Sequence, residues 1–123
     1  MAKLFTNTHE WAEVDGKNVK VGISNYAASE LGDIVFVSLP SVGDKVSYGE
    51  SFMEVESVKS VAEINAPVNG KIIAVNEELD AAPELINQDA EGTWIAEIEL
   101  DGDVPADLMT KEDYETESML LVL

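Results

Sequence analysis

Apolar and polar residues alternate along much of the first hundred residues, and this two-residue period is typical of half-buried β-strands. In residues 18–23 three β-branched side chains alternate with polar residues or glycine, and residues 11–14 precede them across Asp15-Gly16. Because Asp-Gly favours the tight turn of a hairpin, these two segments are predicted to pair. Residues 93–100 alternate in the same way and predict a further half-buried strand, with Ile95 on its polar side.

A short helix is predicted over residues 26–31, after the strand at residues 18–23. Ser24 or Asn25 can cap its beginning, and Gly32 can end it. The run that follows, residues 33–39, is almost continuously apolar and contains β-branched and aromatic residues. This composition and length predict a buried strand.

From residue 40 onward, turn signals rich in glycine, proline, asparagine and aspartate separate short apolar segments. The predicted strands are residues 45–47, 51–56, 61–65 and 71–75. Strands at such close spacing are typical of a small β-sandwich or barrel. Asp80 is predicted to cap a helical turn over residues 80–86, and Thr110 a C-terminal helix, with Asp113 three residues further on.

Residues 52–66 predict a hairpin whose two central residues are Val58 and Lys59. In this register Glu54 lies opposite Glu63, and two like charges in that position cost a few tenths to about 1 kcal/mol. Such a misfit marks either a functional site or a wrong register. Apolar side chains pair on the other face, Met53 with Ile64 and Val55 with Ala62. A β-branched valine disfavours positive φ, so a type I turn is expected, with Lys59 at its tip.

The net charge limits the partners that this chain can bind. Its 123 residues include 25 acidic residues and 7 lysines, with no arginine, which gives a net charge of −18. Such a surface repels phosphate, so binding of nucleic acid is not expected. Residues 77–123 hold 15 of the acids and one lysine. This asymmetry is explained either by a solvated surface or by docking on basic enzymes.

Few residues are available for catalysis or metal binding. The chain has no cysteine and one histidine, His9, so a cysteine nucleophile and a multi-histidine metal site are not expected. His9 has no evident partner that would orient it as a general base. The longest apolar run, residues 119–123, is far shorter than the ~20 residues that cross a membrane, and it either packs on the sheet or forms a loose tail. We expect one domain over residues 1–123, located in the cytoplasm without membrane association.

Several segments match, in order, one known family. Residues 56–60, Glu-Ser-Val-Lys-Ser, look like the lipoyl-attachment sequence of the H protein of the glycine cleavage system, and the chain resembles that family. The other matching segments are residues 8–11, 21–27, 31–40, 65–70, 75–79 and 85–87, with Trp94. The resemblance is strongest over residues 5–100, followed by an acidic C-terminal helical segment, 103–123. It implies a mainly β (α+β) fold, a lipoyl/biotinyl-type hybrid β-sandwich or flattened barrel with the modified lysine at a hairpin tip and helical elements at both ends.

The resemblance implies a non-catalytic carrier subunit rather than an enzyme, and we expect a monomer. Lipoic acid would be joined as an amide to the side-chain nitrogen of Lys59 by a lipoate ligase or a lipoyl/octanoyl transferase, which would recognise Glu56, Val58 and Ser60. The arm would take the aminomethyl group of glycine from glycine decarboxylase, the pyridoxal-phosphate-dependent P protein. It would deliver that group to the tetrahydrofolate-dependent aminomethyltransferase, the T protein. Dihydrolipoamide dehydrogenase, the L protein, would then reoxidise the arm.

The resemblance also implies a place where the loaded arm is sheltered. Thr8 and Glu10 lie in a matched segment that lines this cleft in the family, and Glu63 lies four residues beyond the lysine. An aminomethyl ammonium favours a nearby carboxylate, although the family often has the shorter aspartate at the position of Glu63. Residues 89–94 lack the Pro-Tyr-Gly and the glycine before tryptophan that family members often carry, so the geometry of this loop is not predicted.

Four alternatives stay open beside this interpretation. Biotin-carrying domains share the hairpin plan, but they place methionine on both sides of the lysine, where this chain has Val58 and Ser60. Lipoyl domains of 2-oxo-acid dehydrogenases are shorter and are usually fused to a catalytic chain. A relay protein that donates lipoyl or octanoyl groups to other lipoyl domains has the same sequence features. An unmodified acidic adaptor would be distinguished by an intact mass spectrum.

Overall fold

In residues 2–122, the part of the chain that the computed structural model describes, nine strands form two antiparallel sheets. Side chains are described as far as residue 117, so the packing of residues 119–123 lies outside that part. The strands are β1 Lys3–Phe5, β2 Glu10–Asp15, β3 Asn18–Ile23, β4 Ile34–Ser38, β5 Lys45–Val46, β6 Ser51–Ser57, β7 Val61–Asn65, β8 Gly70–Val75 and β9 Ala96–Leu100. The helices are α1 Asn25–Leu31, α2 Glu78–Ala81, α3 Leu85–Gln88 and α4 Lys111–Val122, and a 3-10 turn spans Ala90–Gly92.

The sheets are arranged as a sandwich and do not close into a barrel. The six-stranded sheet has the order β1-β2-β3-β9-β8-β5, and the three-stranded sheet has the order β4-β6-β7. The predicted mainly β sandwich with short helices is therefore confirmed, and its two sheets remain open. The chain leaves the larger sheet after β5, which is only two residues long, and turns at Gly49 with a φ of 84° before it enters β6.

Buried side chains form two main clusters between these layers. One lies between the three-stranded sheet and the helices, and includes Val37, Val55, Ile64 and Ile86. The other lies against the six-stranded sheet, and Phe52 contacts both clusters. A third cluster consists of Phe5, Trp11 and Tyr114, with the rings of Phe5 and Tyr114 stacked 4.7 Å apart. This last cluster holds α4 against the beginning of the chain.

The first hairpin forms as predicted but turns one residue later. Asp15 pairs with Asn18, so the two loop residues are Gly16 and Lys17 rather than Asp15 and Gly16. Gly16 has a φ of 62°, and among the non-glycine residues described in 2–122 only His9 has a positive φ. Positive φ at the first loop position alone is the geometry of a type II′ turn, which requires glycine there.

The predicted capping residues of the short helices are found in the structure, with one exception. Ser24 caps α1, because its hydroxyl accepts the N–H of Ala27 at 3.1 Å, and Gly32 ends the helix with a φ of 77°. The predicted cap Asp80 is wrong, since this residue lies inside α2. The side chain of Asn76 accepts the N–H of Glu78 instead and fixes the entry into that helix.

The C-terminal segment becomes helical later than residue 103. The helix α4 begins at Lys111, and Thr110 caps it by accepting the N–H of Asp113 at 3.2 Å. The residues before it form an irregular segment with a turn at residues 106–107, and Met109 in this segment exchanges two backbone hydrogen bonds with Phe5. Ile95, placed on the polar side by alternation, is buried because it belongs to the cluster under the three-stranded sheet.

The apolar run at β4 is only half buried, which corrects the prediction of a buried strand. Ile34 and Val37 enter the core, whereas Val35 and Phe36 are exposed by 49% and 54%. The register against β6 shifts between Ile34 and Phe36, so two residues of β4 advance against one of β6. Such a β-bulge re-aims side chains, and here it turns two successive apolar residues outward on an edge strand.

Candidate functional site

The lysine hairpin has the predicted register. In β6 and β7, Met53 pairs with Ile64 and Val55 with Ala62, and Glu54 lies opposite Glu63. The N–H of Ser57 donates to the carbonyl oxygen of Ser60 at 2.8 Å, which closes a turn with Val58 and Lys59 at its centre. Both central residues have negative φ, as expected for a type I turn rather than a primed one. The like-charge pair therefore belongs to the native register.

Ser57 organises this turn, and the sequence analysis did not single it out. Its hydroxyl oxygen accepts the N–H of Lys59 at 3.2 Å and the N–H of Ser60 at 3.1 Å, and its hydroxyl donates to the Ser60 carbonyl. Ser57 itself is buried, whereas the next three residues are exposed. Serine at the first position of a turn is a known signal, because its side chain can replace a backbone acceptor.

The hairpin tip is fixed to the junction between α1 and β4. The N–H of Val58 donates to the carbonyl oxygen of Asp33 at 3.0 Å. Asn87 secures that junction, because its amide donates to the Gly32 carbonyl at 2.8 Å and its oxygen accepts the N–H of Ile34 at 2.9 Å. The backbone around Lys59 is therefore held by contacts from two separate segments of the chain.

Gly32 leaves room for the side chain of Lys59. A Cβ atom added to Gly32 would stand 3.3 Å from Cε and 3.7 Å from Nζ of this lysine. Its φ of 77° already favours glycine, so two independent constraints act on this residue. The side chain of Lys59 lies over this gap and the residue is exposed, so the site offers an accessible amine nucleophile.

Glu10 lies deeper than a surface acid. It is 1% exposed, and its Oε1 accepts the hydroxyls of Thr6 and Thr8 while Oε2 accepts the N–H of Asn65 at 3.3 Å. Burial raises the pKa of Glu10, and the hydrogen bonds from the two threonines act in the opposite direction. Glu10 therefore contacts the backbone of β7 at Asn65, two residues beyond Glu63. Thr8 and Glu63 are both exposed.

His9 has a partner that the sequence did not reveal. Its Nδ1 lies 2.7 Å from the hydroxyl of Tyr114, which is also 2.8 Å from Oγ of Ser24. The residue has a φ of 76°, a conformation that costs a non-glycine residue free energy. Burial lowers the pKa of His9, and Glu30 partly offsets this. The contact to α4 thus stabilises the bend that carries Thr8 and Glu10.

The remaining predictions concern the loop 89–94, metals and membranes. The loop contains the 3-10 turn, and Asp89 accepts the N–H of Gly92 at 3.1 Å. Among the residues that the structure describes, no group of three or more histidines or acids could hold a metal ion. No helix in the described part of the chain is long and apolar enough to cross a membrane.

An exposed lysine at the anchored tip of a hairpin, on a sandwich of two sheets, defines the class of lipoyl-type carrier domains. The pattern of one family, described as glycine cleavage H-protein, matches residues 3–119. A probable glycine cleavage system H protein of Natronomonas pharaonis is 47% identical over 116 residues, which cover 94% of this chain and 92% of that one. A glycine cleavage system H protein of Bacillus pumilus is 50% identical over 118 residues, which cover 90% of this chain and 89% of that one.

The similarity extends to an experimental fold. The crystal structure of a glycine cleavage system H protein from Mycobacterium marinum superposes with a TM-score of 0.88 at 36% sequence identity. The match covers 96% of this chain and 97% of that one. The chain belongs to the glycine cleavage H-protein family.

Proposed function

We propose that this chain is the lipoyl carrier of a glycine cleavage system, with the lipoyl group joined as an amide to Nζ of Lys59. The observation that carries the proposal is the geometry of this lysine, which is exposed on a turn that Ser57 and Asp33 hold in place. Membership of the family supports the role of carrier subunit. The chain acts as one carrier domain and catalyses none of the steps itself.

The described residues supply position rather than chemistry. Lys59 provides the amine, Ser57 fixes the turn, and Gly32 leaves the lysine chain unobstructed. When bound, the lipoyl group supplies a disulfide that takes up the aminomethyl group of glycine and is later regenerated from the dithiol. A rigid platform with flexibility confined to the arm lets several enzymes find the same reactive end.

The proposal assigns four partners by the reaction that each performs. A lipoate ligase or a lipoyl/octanoyl transferase attaches the group and recognises Glu56, Val58 and Ser60, all exposed around the lysine. The pyridoxal-phosphate-dependent decarboxylase (P protein) loads the arm, and the tetrahydrofolate-dependent aminomethyltransferase (T protein) unloads it. Dihydrolipoamide dehydrogenase (L protein) reoxidises it.

Intact mass spectrometry tests the attachment. After incubation with lipoate, ATP and a lipoate ligase, the parent should gain the mass of one lipoyl group, and Lys59→Arg should gain none, because a guanidinium does not form this amide. Lys45→Arg, an exposed lysine of the other sheet, is the matched control and should be modified like the parent. A biotin ligase should add nothing to any of them. Lipoate on Lys59→Arg, or strong biotin labelling at Lys59, would overturn the assignment.

We further propose that Thr8, Glu10 and Glu63 shelter the loaded arm. Glu63 provides an exposed carboxylate on β7. Glu10 acts partly through the exposed Thr8, whose hydroxyl donates a hydrogen bond to it. Charge-assisted hydrogen bonds are worth about 1.5–3 kcal/mol in favourable sites, and less where the groups are exposed. The gain exists only for the charged aminomethyl state, because an oxidised arm carries no ammonium.

The lifetime of the loaded protein tests this shelter. Glu10→Gln and Glu63→Gln should accept lipoate like the parent but lose the aminomethyl group severalfold faster. Glu99→Gln, an exposed acid on β9, serves as the matched control. Equal lifetimes for the parent and both variants would mean that these carboxylates do not hold the arm.

A further inference from the structure

Four exposed apolar side chains lie on the lysine hairpin or on the strand paired with it. They are Val35 and Phe36 on β4, Val58 in the turn and Val61 on β7, exposed by 49%, 54%, 66% and 56%. We call them the tip patch. A cluster of exposed large apolar residues on a small, strongly charged protein marks an interaction surface more often than chance exposure does.

The strand register places two residues of the tip patch on one face of the sheet. Phe36 lies opposite Glu56, and Glu56 lies opposite Val61, so the three side chains form one row across the outer face. Cross-strand neighbours stand about 5 Å apart at Cβ, so the two apolar side chains flank Glu56 from either side. The bulge at Val35 adds a fourth apolar residue to this end, and bulges are over-represented next to functional sites.

The surrounding charge is entirely acidic on this face. Glu56 belongs to the row of Phe36 and Val61, and the next row contains Ser38, Glu54 and Glu63. The two ion pairs that the described side chains form, Lys3–Glu13 and Lys111–Glu91, involve none of these glutamates. A cation placed between Glu54 and Glu63 would relieve the repulsion of the opposed pair. The face is therefore complementary to an apolar hollow bordered by lysine or arginine.

The position of the tip patch selects among the enzymes that act on Lys59. An enzyme that uses the finished arm works at its far end and can stand off from the hairpin. The enzyme that forms the amide must bring its acyl donor to the bare lysine, whose chain is shorter by the whole lipoyl group. It must therefore reach the hairpin tip, where Val58 lies beside the lysine and where Ile34, the neighbour of Val35, pairs with Ser57.

We propose that the tip patch is the docking surface for the enzyme that acylates Lys59, and that this enzyme presents an apolar hollow with a basic rim. The inference rests on the proposed function, because it requires Lys59 to be the acylated residue. It extends recognition beyond the motif itself to β4, a strand that precedes the motif in the chain and is separated from it by β5 and two loops.

The rate of acylation tests the docking surface. With a lipoate ligase, lipoate and ATP, Phe36→Ser and Val61→Ser should each lower kcat/KM for acylation by about tenfold, mainly through KM, as for residues at the centre of an interface. Phe36→Leu should restore most of it. Val42→Ser is the matched control, since Val42 is 64% exposed but lies in the loop where Gly43 bonds to Ile72 of the other sheet. It should acylate within about twofold of the parent.

Charge gives a second, independent readout. Added salt should lower kcat/KM for the parent, and Glu54→Gln should both lower kcat/KM and weaken this salt dependence, because the partner's rim is basic. Urea unfolding establishes that each variant is folded. Should Phe36→Ser prove unfolded, Val61→Ser and Glu54→Gln still decide the question.

The outcomes separate this proposal from the proposed function. A parent that is not acylated at Lys59 would refute the attachment site itself. If the parent is acylated, and folded Phe36→Ser and Val61→Ser are acylated with the same kcat/KM as Val42→Ser, the docking surface is refuted. The carrier function is unaffected by that outcome. Variants that are acylated normally but loaded slowly by the decarboxylase would also overturn the docking surface, since the surface would then serve a later enzyme.

Discussion

Replacing Ser57 with alanine tests whether one hydroxyl orders the lysine turn. The substitution removes the oxygen that accepts the N–H groups of Lys59 and Ser60, and the hydroxyl donor to the Ser60 carbonyl. The backbone hydrogen bond from Ser57 to Ser60 and the bond from Val58 to Asp33 remain. The change therefore weakens the turn without removing its anchor.

The expected cost follows from the exposure of the groups left behind. A net intramolecular hydrogen bond is worth about 0.5–1.5 kcal/mol, and an orphaned buried donor costs more. Lys59 and Ser60 are exposed, so water can reach their N–H groups once the hydroxyl is gone. We therefore expect Ser57→Ala to lower the free energy of unfolding by about 1.5–2 kcal/mol, the lower end of the range for three lost bonds.

Two assays measure the consequences. Urea unfolding gives the stability, and acylation of Lys59 by a lipoate ligase reports the order of the tip, with kcat/KM expected to fall by several-fold. Ser57→Thr keeps the hydroxyl and should stay close to the parent in both. Ser38→Ala, an exposed serine on β4, controls for loss of a hydroxyl as such. A Ser57→Ala variant as stable and as readily acylated as Ser38→Ala would refute the assignment of Ser57 as the organiser of the turn.

Two further predictions concern the buried groups beside the site. Burial raises the pKa of Glu10 above its ordinary 4.5, so the folded protein keeps this proton to a higher pH than the unfolded chain. The free energy of unfolding that this residue contributes should therefore fall as the pH rises from 4.5 through the raised pKa. Urea unfolding of Glu10→Gln should not show this fall. Parallel pH profiles for the parent and the variant would contradict the prediction. Tyr114→Phe keeps the stack on Phe5 but removes the hydroxyl beside His9 and Ser24, so a loss of about 1–3 kcal/mol is expected; unchanged stability would contradict it.

The strands and the lysine hairpin could be predicted because their information is local. Alternation fixes which face of a strand is buried, and it fixed the register of β6 against β7, because a slip of one residue would expose Met53 and Val55. The cap of α1 followed from residues adjacent in the chain. The type of turn at Lys59 followed from the β-branched Val58.

The contacts that complete the site are long-range, and the sequence alone does not specify them. His9 and Tyr114 are separated by 105 residues. Asn87 reaches back 55 residues to Gly32, and no local pattern links the two. The raised pKa of Glu10 likewise depends on the packing of Asn65 and Thr6 around a carboxylate that a sequence pattern cannot distinguish from a surface acid.

The largest error, the buried strand at β4, has a different cause. A continuous apolar run predicts a buried strand on the assumption that every apolar residue is there to form the core. Phe36 does not meet this assumption, because it is exposed on an edge strand. The opposed Glu54 and Glu63 and the positive φ of His9 violate local rules as well. These features lie on the lysine hairpin, on the strand paired with it, or beside Glu10, rather than being scattered over the molecule. Because folding alone does not favour such features, they are the positions at which the proposed docking and shelter surfaces are expected to act.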